Sequence, residues 1–228
     1  MSPQEFILDC LAIRLQPAAM AWLEKSAAQL RQPCESKFVF AAFSSSVRHS
    51  GKGPLALDDR ELAMAKDLVP GWNPKDWTLD EAARIHLLLC LPPVPESAHR
   101  MDLIYQTADL GEGLALMKAL PLLPNPLDHL SRAREGARSN VKSQFEAVAL
   151  RNPYPADHFD EIAWNQLISK AVFVDSPLDE IVGLDRRANA ALKQILVDLI
   201  KERRAAGRGF SPLIFRCMGA FAGEAENL

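Results

Sequence analysis

The stretch "TLDEAARIHLLLCLPPVP", residues 78–95, decides the fold class. Thr78 and Glu81 form a T-x-x-E pair. In that spacing each side chain can satisfy a backbone N–H that the first turn of a helix leaves open. The apolar run that follows carries no turn residue until Pro92, and the prolines at 92, 93 and 95 then force an extended connector. The stretch reads as a short, capped helix stopped by proline, and the same pattern recurs along the chain. Asp109 and Glu112 cap "LALMKAL", while Ser176-Pro177 and Ser211-Pro212 read as an N-cap with proline at the first helical position. Gly207 and Gly209 close a long helical segment over 189–206.

Helical periodicity extends to both ends. Residues 3–16 place Phe6, Ile7, Cys10, Leu11, Ile13 and Leu15 on one broad face, and residues 18–31 do the same with Met20, Trp22, Leu23, Ala27 and Leu30. A third segment over "ESKFVFAAFSSSVRHS" is ended by Gly51 and Gly53. The best strand candidates, "KFVFAAF" and "AVFVDS", are short and continue helical patterns. The reading is therefore all-α, with about eleven to thirteen helices. Aromatic residues are only 7% of the 228, which favours helix over strand. "YQTADLGEGLALMKALPLLP" aligns loosely with "NPYPADHFDEIAWNQLISKAVFVDSP". Each runs from acids through an apolar helix to Lys-Ala and proline, with Lys118 matching Lys170. That repeat predicts a right-handed α-α superhelix, a HEAT-like solenoid of short helix pairs forming a single domain over 1–228.

Composition excludes several classes of function. A hydrophobic share of 48% and a charged share of 24% are globular values, and a net charge of -3 gives no electrostatic pull toward nucleic acid. The basic segment 186–208 has no interleaved aromatic residues and is interrupted by Asp198 and Glu202, so nucleic acid is not the expected partner. The opening "MSPQEFILDCLAIRL" has no basic start, and Asp9 breaks its apolar run. No run of about 18 apolar residues occurs, so direct membrane insertion is not expected. Cys10, Cys34, Cys90 and Cys217 are far apart and lack a metal-site spacing. The expectation is four reduced thiols in a cytoplasmic protein with no metal and no cofactor. His86 is read as a helix residue at the edge of the core.

The densest polar stretch is "ADHFDEIAWNQLISKAVF", residues 156–173. On one continuous helix, His158 and Glu161 lie a turn apart and could share a metal, but a di-metal bundle needs such a pair twice, with further carboxylates from facing helices. Acids also collect at helix N-termini because the open N–H groups and the dipole favour them. The stretch is read as the capped start of a helix whose polar rim borders a binding surface. Asp185 and Asn189 are read as caps. No phosphate-binding loop or nucleophile elbow is present.

The run "FDEIAWNQLISKAVFVDSPLDEIVGLDRRANAALKQILVDLIKERRAAGRGFSP" resembles the EboA family, bacterial proteins associated with a cluster implicated in secondary-metabolite traffic. The likeness rests on Trp164-Asn165-Gln166, Gly183-Leu184-Asp185 and Ala205-Ala206-Gly207-Arg208, with further agreement at "LIYQTADLGEGLALMKALPLLP", and is best over 77–215. The chain has "DLIKERRAAG" where the family pattern reads "DYAHERWAAG". The resemblance implies an all-α protein with a part in metabolite traffic and no assigned reaction. Its expected partner is a cluster-encoded protein or a small metabolite, and companion proteins of such clusters include a prenyltransferase-like membrane protein. The positions it singles out for binding are His158, Asp160, Trp164, Asn165, Lys170, Asp185 and Arg187. The alternative is a helical enzyme acting on an isoprenoid-like or cyclic metabolite, with His158 and Asp160 converging in a pocket.

Overall fold

The computed structural model describes residues 1–223 and is all-helical, with fourteen α-helices and no strand among the described residues. Among the described residues β-type pairing consists of two isolated bridges, Pro54 with Thr78 and Leu150 with Ile181. The chain forms two compact units, Met1–Arg132 and Ala133 onward.

The first unit contains α1 (Pro3–Arg14), α2 (Pro17–Leu30), α3 (Ser36–Ser50), α4 (Asp59–Leu68), α5 (Leu79–Leu89), α6 (Pro95–Thr107) and α7 (Leu110–Ala119). Helix α5, the stretch read first, is its hub and packs against α1, α2, α3 and α7. Every residue from Asp80 to Leu88 is buried. A helix can be buried all round only if its polar groups find partners inside. Arg84 pairs with Asp80 one turn earlier, donates from Nε to the Phe43 carbonyl at 3.1 Å and lies 5.6 Å from the Phe43 ring centroid. Thr78 and Glu81 form the expected capping box, as do Asp109 and Glu112. His86 is fully buried rather than at the core edge, because α5 is covered on every side. Its ring lies between the Gln4 carbonyl and the Cys90 thiol, and burial pulls its pKa down to about 4.

Helix α8 (Leu130–Arg138) carries the chain into the second unit. There follow α9 (Lys142–Ala149), α10 (Tyr154–His158), α11 (Glu161–Phe173), α12 (Leu184–Arg187), α13 (Ala190–Ala205) and α14 (Leu213–Met218). Helices α10, α12 and α14 are shorter than any periodic pattern can reveal, and the proline-rich "NPYP" (152–155) itself supplies the first two residues of α10. The stretch 156–173 is consequently two helices. Helix α10 ends at His158, Phe159 is extended, and Asp160 caps α11 through the Ala163 N–H at 2.8 Å. His158 and Glu161 therefore do not share a helix face. Ser176 does not cap a helix either. The segment behind it is only a 3-10 turn, and the Ser176 hydroxyl donates to Glu146 at 2.8 Å.

Helix α13 is framed as its sequence predicts. Asn189 accepts from the Leu192 N–H at 2.8 Å, and Gly207, at φ +67°, allows the Arg208 N–H to reach the Arg203 carbonyl at 2.8 Å in the αL closing turn. Gly183 is required twice over. Its φ is +87°, and a Cβ there would lie 2.6 Å from the Cβ of Ala156.

Candidate functional site

The second unit holds a cleft of about 730 Å³ between the C-terminal half of α8, the 139–141 loop, the start of α9 and one face of α11. Ligand sites commonly span roughly 300–1,000 Å³. Its apolar wall is Phe145 from α9, Phe159 from the break before α11, and Leu167, Phe173 and Val174 from α11 and its end. Its charged lining is Arg134 and Arg138 from α8, Lys142 from α9 and Lys170 from α11, and no carboxylate or imidazole is among the lining residues. Phe145 and Phe159 are buried, whereas Phe173 stands 62% exposed at the rim.

Lys170 is the central cation. Its ammonium donates to the Ala137 carbonyl at 3.1 Å and the Ser139 carbonyl at 2.6 Å, and it lies 4.9 Å from the Phe145 ring centroid. These carbonyls belong to the end of α8, whose unpaired C=O groups attract a cation. No carboxylate is within ion-pair reach of it among the described residues, and burial lowers its pKa. Arg134 is differently placed. It donates to Asp160 at 2.8 Å, and its Nε is buried without a partner. Lys142 sits 3.7 Å from Glu146, a distance too long for a strong pair.

The seven positions singled out from the sequence thus separate. Lys170 lines the cleft, and Asp160 borders it by capping α11 and holding Arg134. Trp164 and Asn165 are buried on the opposite side of α11, away from the cleft lining. Asn165 exchanges two side-chain amide bonds with Asn189, at 3.2 and 2.9 Å, so the cap of α13 is also its tie to α11. Arg187 donates to the carbonyls of Ala156 at 2.7 Å and Phe159 at 2.8 Å, satisfying the end of α10, and its guanidinium lies 5.2 Å from the Trp164 ring. Asp185 is no cap. It receives a forked pair from Arg216 at 3.0 and 2.7 Å, which holds its carboxyl below the usual range. His158 is half-buried against the Tyr154 ring, 4.7 Å between centroids, and is not among the cleft residues.

The sequence did not single out Arg134, Arg138, Lys142, Phe145 or Phe173. They come from three elements, and the only advance signal was the abundance of Arg and Lys in "LSRAREGARSNVK". A shallower groove between α11 and α13, lined by Phe173, Ile195, Leu199, Asp198 and Glu202, shares Lys170 and Phe173 with the cleft. Among the described residues no cluster of three His, Cys, Asp or Glu side chains could hold a metal ion, and no helix is long and apolar enough to cross a membrane.

A family model described as "Metabolite traffic protein EboA" matches residues 4–219, which extends the likeness seen over 77–215 through the first unit. No curated protein and no solved structure matches the chain.

Proposed function

The chain belongs to the EboA family, and from that premise we propose that it serves metabolite traffic by holding a small metabolite in the cleft of its second unit, without transforming it. One observation carries the reading. An aromatic-walled cleft of ligand size is lined by cations and uncharged groups alone, which suits binding and supplies no lining carboxylate or imidazole for proton transfer. The alternative of an enzyme needs His158 and Asp160 to converge. His158 instead packs on Tyr154, and Asp160 is engaged by Arg134 and the α11 backbone.

A partner protein from the same cluster is the second reading. Phe173 and Ile195, exposed at 62% and 41%, favour it because they sit together along the α11–α13 groove. Placement in the cytoplasm is part of the same reading, supported by four free cysteines. So is the right-handed superhelix of short helix pairs. Within the units α2 packs on α3, α6 on α7 and α13 on α14, as neighbours in a stack would.

The test is to purify the protein from its host without denaturant, then release and identify bound small molecules by mass spectrometry. A stoichiometric compound is expected with the native chain and not with Gln166→Trp, which fills the cleft from an exposed position. A native chain that carries nothing, or equal occupancy with the cleft filled, overturns the reading.

A further inference from the structure

Resting on the cleft as the cargo site, we infer that the cargo is an amphipathic anion, an apolar body ending in a phosphate-like dianion. The cleft separates its chemistry into two parts. Phe173, 62% exposed at the rim, offers ring surface to an apolar body, with Ala163 and Val174 beside it over a floor that includes the buried Phe145 and Phe159. The cations offer a place for its charged end, and they are not equally satisfied from within the protein. Arg134 has Asp160 at 2.8 Å, and Lys142 has the more distant Glu146 at 3.7 Å. Lys170 has two backbone carbonyls and the Phe145 ring but no carboxylate, and the exposed Arg138 has no ion-pair partner among the described residues. Two positive charges therefore face the cleft with no carboxylate to meet them.

That count sets the class. A cationic ligand would meet like charge. A neutral apolar ligand would displace water from Lys170 and leave its charge met by two carbonyl dipoles and a ring but by no counter-ion, which is costly for a partly buried charge. An anion does the reverse, because it restores the interaction that burial removes, in a cleft where charges are screened less than in bulk water. A single carboxylate answers one of the two cations. A phosphate monoester carries about -1.5 to -2 at neutral pH and answers both. Arginine beside lysine also suits phosphate, the one as a planar fork of donors and the other as a point charge.

The experiment uses three probes that share one ring, namely 1-naphthyl phosphate, 1-naphthoate and 1-naphthol, titrated calorimetrically into the full chain at low and high salt. The phosphate is expected to bind at least roughly tenfold tighter than the naphthol, with the carboxylate between them and the gap narrowing as salt rises. Arg138→Glu, made on an exposed side chain that no fold contact uses, is expected to weaken the phosphate by roughly tenfold. Lys170→Met is expected to weaken it further, with circular dichroism checking that α8 and α11 persist. Equal affinity for phosphate and naphthol, both lost in Gln166→Trp, overturns the anion class and leaves the cleft as the cargo site. Carboxylate equal to phosphate overturns the dianion. Failure of all three probes, or binding indifferent to Gln166→Trp, removes the cleft reading itself.

Discussion

Lys118 in α7 and Lys170 in α11 occupy matching places in two similar stretches of sequence, and the fold uses them in opposite ways. Each lies near the end of a helix whose N-cap is an aspartate, Asp109 in one case and Asp160 in the other. Lys118 donates to both oxygens of Glu81 at 2.7 Å, so its charge is neutralised inside the first unit. Lys170 finds only carbonyls and an aromatic ring, and its charge stays turned toward a cleft. The difference is not in the lysine or its neighbours in sequence. It lies in whether a carboxylate from another helix is waiting. Glu81 arrives because α5 is threaded through the centre of the first unit, where its own capping box fixes the carboxylate in place. The same local signal thus yields a structural ion pair in one unit and an available cation in the other.

The contrast can be broken most strongly on the Lys118 side. Glu81→Ala removes both a capping partner and the counter-ion, and should cost about 4 kcal/mol in urea unfolding. Lys118→Met should cost about 3 kcal/mol while leaving naphthyl phosphate affinity unchanged. A change in that affinity would end the separation of roles drawn here.

Acid should act next, and through the first unit. The His86 pKa of about 4 lies below the ordinary value of 6.5, so the unfolded chain binds the proton more readily. Stability should be full above pH 6.5 and fall as pH drops toward 4, by about 3 kcal/mol in total. His129, also buried with a lowered pKa, adds in the same direction. His86→Gln should flatten this slope in denaturation measured across pH, and an unchanged slope would place the acid sensitivity elsewhere.

Smaller effects sharpen the second unit. Asn165→Ala leaves Asn189 without its amide partner and should cost about 2 kcal/mol, with naphthyl phosphate affinity changed by less than about threefold. Lys170→Met should show the inverse pattern, about 1 kcal/mol in stability against a large loss of ligand. Were the two variants to trade places, the functional residue would be the asparagine that the sequence motif displays, not the lysine behind it.

Local signals were legible before any coordinates. The boxes at Thr78–Glu81 and Asp109–Glu112, the Asn189 cap and the Gly207 stop each depend on residues within a few positions of one another. What could not be read depends on distance along the chain. Asn165 meets Asn189 from 24 residues away, and Arg187 reaches Phe159 over 28. The cleft draws cations from α8, α9 and α11, of which only the arginine-rich α8 looks cationic alone. Of the seven positions the resemblance singled out, the cleft lining includes only Lys170, because Trp164, Asn165 and Arg187 are engaged in holding α10, α11 and α13 together. Ser176 shows the limit of a local rule: a serine before proline is a cap only if a helix follows, and here a 3-10 turn does.

Gly183 closes the matter of which positions in this unit are free to drift. Its left-handed backbone excludes most side chains, and Ala156, across from it, fills the space a methyl group would need. No single step leads away. Enlarging residue 183 strikes Ala156 while the backbone still resists, and shrinking Ala156 to glycine loosens α10 before any gain appears. In a collection of relatives such a pair would register as unvarying while touching no cargo. Its constancy would record volume, and invariance there would mark a place where the backbone has no room to change, apart from every residue that lines the cleft.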